Sequence, residues 1–111
     1  MPHTDAIVVF TTLETAAEAV TFIKELLEQR LIACGTVLPG SQSFYRWEGR
    51  IAEQNEVVVM LKTRSARLES LQVAFEKHHP YKVPELLALP VSGGNEKYLE
   101  WINGETSLAL A

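Results

Sequence analysis

One cysteine, Cys34, stands in 111 residues, so no intrachain disulfide forms and nothing marks a disulfide-stapled secreted fold. No apolar run is long enough to span a bilayer, and the short one at residues 6–10 ends at Thr11 without a basic segment before it. Positive charge is scarce: 10 Lys and Arg face 14 Asp and Glu, a net charge of −4, which argues against the basic face of a duplex nucleic-acid binder. Repeats, low-complexity tracts and interdomain linkers are missing as well. These absences leave the expectation of one cytoplasmic domain over residues 1–111, with neither membrane nor nucleic acid as partner. The 47% hydrophobic content is enough for a real core.

What is present alternates in period. Residues 6–10 are β-branched and apolar on both faces, which predicts a strand inside a sheet. From Thr15 the spacing becomes helical, with Ala16, Val20, Ile23 and Leu27 as the stripe and Thr15 with Glu18 as a capping box. Residues 32–38 resume strand character, Pro39-Gly40 interrupts as a bulge or bend, and residues 43–47 continue. Glu48-Gly49-Arg50 turns the chain into a second continuously apolar strand at residues 57–61, read as buried on both faces.

A second helix opens at Ser65 with Leu68, Leu71, Phe75 and His78 as its stripe. Residues 85–89 form a fourth strand, and Gly93-Gly94 precedes a short helix at residues 96–102. The order βαββαβ predicts an α+β, ferredoxin-like sandwich with the first and third strands central, a long β2-β3 hairpin and a short C-terminal helix. One hairpin arm of roughly fifteen residues reaches about 50 Å if straight, past the edge of so small a domain. Its aromatics Phe44, Tyr45 and Trp47 therefore need cover, which a closed homo-oligomer supplies.

Chemistry concentrates at His78-His79-Pro80-Tyr81. Pro80 cannot continue a helix and biases His79 out of the α region, so the second helix stops at about His78. Two imidazoles at a helix end suggest Cu(II) or zinc, yet successive helical residues diverge by about 100°, so one ion is shared only if the helix unwinds or another subunit contributes. On the stripe, His78 reads as packed and His79 as the more open of the two. His3, near the N-terminus, reads as an incidental cation scavenger. Cys34 reads as a small core residue. Trp47, Lys62, Thr63, Tyr81 and Glu85 form a candidate polar cleft at a subunit boundary, suited to a small anionic or metabolite ligand.

Taken in order, Ala33-Cys34, Pro39-Gly40, Ser43, Tyr45, Trp47-Glu48-Gly49, Glu56, Lys62-Thr63, His79-Pro80-Tyr81, Pro84-Glu85 and Tyr98-Leu99-Glu100-Trp101 resemble the CutA family of divalent-cation tolerance proteins. The resemblance runs from about residue 6 to residue 102. It implies a cytoplasmic, non-enzymatic homotrimer joined through its hairpins, similar in architecture to P-II signalling proteins. It also implies binding of copper and other divalent cations, with a cysteine near the end of the first strand and paired histidines as ligands. His78 and His79 match the pair, but Thr11 stands at the cysteine position and cannot supply the soft thiolate that selects copper. Two functions follow as expectations: Cu(II) binding at His78 and His79, or a P-II-like signalling or scaffold trimer that binds a small ligand between subunits.

Overall fold

A computed structural model describes residues 4–107; His3 lies outside them. Eight elements follow one another: β1 (Ala6–Leu13), α1 (Ala16–Glu28), β2 (Cys34–Trp47), β3 (Arg50–Arg64), a 3-10 turn (Ser65–Arg67), α2 (Leu68–His78), β4 (Leu87–Pro90) and α3 (Glu96–Glu105). The sheet order is β2-β3-β1-β4, antiparallel throughout, so the two most continuously apolar strands are the central ones. β4 and α3 differ from the predicted spans at their ends, and β1 runs on to Leu13.

Only one face of the sheet is closed by α1 and α2. Val9, Leu13, Val59 and Leu61 lie there, fully buried against Phe22, Leu26, Leu71 and Phe75. The side chain of Thr15 accepts the Glu18 N–H and caps α1, as the capping box predicts. The buried stripe of α1 is Ala19, Phe22, Ile23 and Leu26, while Ala16, Val20 and Leu27 are exposed. The expected stripe was thus set wrongly for all but Ile23. α1 packs so close to β2 that a Cβ on Gly35 would stand 2.9 Å from Ile23 side-chain carbons.

On the opposite face Val8, Phe10, Val58 and Met60 are only half-buried, and Leu38, Leu87 and Leu89 are exposed. The expectation that residues 57–61 are covered on both sides therefore fails within one chain. α3 covers one end of this face, where Tyr98 Oη accepts from Lys62 Nζ at 3.3 Å.

β2 and β3 pair alone beyond Val57, and this overhang carries the bulge that shapes the candidate site. Leu38 pairs with Val58, but Ser41 pairs with Glu56, so β2 holds one residue too many at Pro39-Gly40. Gly40 has φ +78°, a conformation that glycine adopts without a Cβ penalty. Because strand side chains alternate, the extra residue moves Ser43, Tyr45 and Trp47 onto the side of Gln54 and Glu56. The hairpin closes through Glu48 and Gly49, both with positive φ, as a two-residue turn between twisted strands requires.

Candidate cleft and the histidine pair

α2 ends as Pro80 dictates. His79 is its cap, with φ −77° and ψ 131°, and its N–H still donates to Phe75 O at 2.9 Å. The change to extended backbone swings His79 inward and leaves His78 outside. His79 is 6% exposed, between the rings of Phe22, Phe75 and Tyr81, whereas His78 is exposed. The burial expected of His78 from the helical stripe is therefore not found, because helical geometry stops at that position.

Both nitrogens of His79 are engaged. Nδ1 accepts the Tyr81 N–H at 3.1 Å, so the ring proton sits on Nε2, which is 3.0 Å from Thr12 O and 3.1 Å from Thr11 Oγ1. Burial lowers the pKa of this imidazole, against the opposing effects of the Thr12 carbonyl and of Glu18 and Glu56. The result is a neutral ring with no lone pair turned outward. Thr11 has the complementary role: at the position where the family resemblance implies a cysteine ligand, its hydroxyl touches the histidine. His78 lines a separate groove with Glu18 and Glu25 between α1 and Pro80. Among the described residues, no three His, Cys, Asp or Glu side chains gather to hold an ion.

Beyond His79 the chain turns Tyr81 toward β3, and a cleft of about 560 Å³ opens between this loop and the overhanging hairpin. Tyr81 Oη donates to Glu56 Oε2 at 2.5 Å and accepts from Gln54 Nε2 at 3.4 Å, while Tyr45 Oη donates to Gln54 Oε1 at 2.6 Å. Burial and the bond to Glu56 hold the Tyr81 phenol well above its usual range. Desolvation, with the charge of Glu56 adding to it, raises the Glu85 carboxyl. Trp47, Phe44 and Val83 give the lining its apolar part, and Lys82 stands among it.

Of the five residues expected in a cleft, Trp47, Tyr81 and Glu85 line it. Lys62 and Thr63 do not: Lys62 meets Tyr98, and buried Thr63 donates to Leu31 O at 2.7 Å. Adjacent strand residues point to opposite faces, so the two never shared one cleft. Glu56 was missed as a cleft residue; its signal is a carboxylate directly preceding the apolar run of a central strand. Cys34 is partly buried, with Sγ 3.8 Å from Tyr98 Oη at the Lys62 end of the sheet, whereas His79 meets β1 at Thr11 and Thr12.

Comparison with known proteins settles the kinship. The family model described as CutA1 divalent ion tolerance protein matches residues 7–105. The chain belongs to this family. It is 44% identical to the divalent-cation tolerance protein CutA of Pectobacterium atrosepticum over 102 residues, which is 92% of this chain and 93% of the relative. The crystal structure of CutA from Xylella fastidiosa superposes with a TM-score of 0.90 at 36% identity, covering 94% of this chain and all (100%) of that one. A protein from Archaeoglobus fulgidus described as the periplasmic divalent cation tolerance protein CutA superposes with a TM-score of 0.88 at 30% identity, covering 92% of this chain and 99% of its own. No helix among the described residues is long and apolar enough to cross a membrane.

Proposed function

We propose that the chain serves divalent-cation tolerance as a non-enzymatic, cytoplasmic homotrimer that binds a small ligand in the Tyr81–Glu56–Glu85 cleft and acts on metal tolerance indirectly. The state of His79 carries this reading. A histidine that would ligate Cu(II) must present a free lone pair, and both nitrogens of His79 are occupied inside the fold. The cleft beside it, by contrast, has the concavity and the mixture of aromatic wall and few polar groups that ligand sites have. The trimer is supported by apolar surface that one chain leaves open, including Leu87 at 60% and Ile51 at 72% exposure. A sedimenting mass near that of one 12.4 kDa chain counts against it.

Direct Cu(II) binding is the competing reading, and the exposed imidazole of His78 favours it. Calorimetric titration of Cu(II) into the wild type, His78→Ala and His79→Ala, each checked for native circular dichroism, separates the two. Expected is weak binding that is reduced by His78→Ala and unchanged by His79→Ala. Stoichiometric, tight Cu(II) binding lost in both variants restores the histidine pair as the site.

A further inference from the structure

The chemistry of the cleft narrows what it takes. Glu56 is only 6% exposed, yet it lines the cleft. Its Oε2 accepts from Tyr81, while its Oε1 accepts nothing from any described residue. No described cation lies within ion-pair distance, Lys82 of the lining included. A carboxylate oxygen left open to a cleft, with no cation beside it, is a strong acceptor for a charged donor that enters. Glu85 adds a second carboxylate to the same lining, and the two raise the local cost of any anion. Tyr45 and Trp47 supply aromatic surface, which attracts organic cations through the ring quadrupole.

We infer that the cleft selects a small organic cation, a short alkyl chain bearing ammonium or guanidinium groups, held by Glu56 and Glu85 and lying along Tyr45 and Trp47. This inference rests on the small-ligand reading above and, of the anionic or metabolite ligand expected from the sequence, sets aside the anion. A bare divalent ion makes poorer use of the site, since it asks for six or more oxygens and leaves the aromatic wall idle. Lys82 belongs at the rim, where its exposed ammonium remains solvated as the ligand enters.

The test is calorimetric titration of the assembled protein with agmatine, n-butyrate, ATP and Mg²⁺, on the wild type, Glu56→Gln and Glu85→Gln, with sedimentation to check assembly. Expected is saturable agmatine binding that weakens about tenfold or more in Glu56→Gln, as losing a hydrogen bond to a charged group implies, and less in Glu85→Gln. Should Glu56→Gln fail to assemble, the more exposed Glu85→Gln carries the comparison. Agmatine binding unaffected by either substitution overturns the site. Saturable binding of butyrate, ATP or Mg²⁺ without agmatine overturns the organic cation while leaving a ligand cleft in place. Silence from all four probes at millimolar concentration overturns both.

Discussion

The hydroxyls and imidazole beneath the helices and the carboxylates of the cleft are satisfied in different ways. On the face closed by α1 and α2, every buried hydroxyl and imidazole named above is answered from within: Thr63 by Leu31 O, and Thr11 by His79, whose ring is held further by Thr12 O and the Tyr81 N–H. In the cleft, Glu56 has one answered oxygen and Glu85 shares the lining with it. Buried polar groups that are mutually satisfied hold a fold together, whereas those left half-satisfied beside a cavity ask for something from outside. Family names alone do not draw this line through a histidine pair.

One leucine from each face, Leu61 of β3 and Leu89 of β4, tests the contrast most strongly. Leu61 is fully buried among the helices, and Leu61→Ala should cost about 2–5 kcal/mol in urea denaturation with sedimenting mass unchanged. Leu89 is 48% exposed on the open face, and Leu89→Lys should instead lower the sedimenting mass while leaving the far-ultraviolet spectrum native. An unchanged mass for Leu89→Lys shows that this surface is not where copies meet.

The histidine pair sharpens the comparison at a smaller scale. His79→Ala strips the partner from the Tyr81 N–H and from Thr12 O inside the fold, a loss of about 1–3 kcal/mol. His78→Ala, at the surface, should stay within about 0.5 kcal/mol. Equal effects in thermal denaturation contradict the inward turn at Pro80. Between these lies Tyr81→Phe, which removes the donor to Glu56 Oε2 and should cost about 1–2 kcal/mol at neutral pH.

Much of this was legible in the sequence where a single period governed. Two continuous apolar runs marked the central strands, Pro39-Gly40 marked the bulge, and Pro80 marked the end of α2. Misreadings arose where two signals overlapped. α1 has apolar residues enough for two stripes, and Phe22 and Leu26 meet the sheet in place of Val20 and Leu27. The two histidines follow one another in sequence, but a change of ψ between helix and extended backbone separates core from solvent, and no helical wheel extends across it. The cleft needed three remote segments, the loop at Tyr81, the overhang at Tyr45 and Trp47, and Glu56 on β3, so its acidic character emerges only once the bulge has set their register.

The smallest expected effect is the dependence of stability on pH, and its sign separates the two regions once more. The folded pKa of His79 lies below the unfolded value of 6.5, so below that value the unfolded chain binds the proton more readily. Its effect on stability is therefore absent well above pH 6.5, destabilises as pH falls toward the folded pKa, and levels off beneath it. One proton limits the slope to about 1.4 kcal/mol per pH unit. Glu85 has the opposite sign: its folded pKa lies above the unfolded value of 4.5, so the folded chain binds the proton better and stability falls as pH rises through that window. Denaturation at a series of pH values on the wild type, His79→Asn and Glu85→Gln resolves the two. Losing His79 should flatten the acid-side loss just below pH 6.5, while Glu85→Gln should leave that loss in place and remove the opposing one at lower pH. A His79→Asn profile parallel to the wild type means that the imidazole charges freely inside the fold, and then the engaged, neutral ring that closes His79 to a metal ion is abandoned.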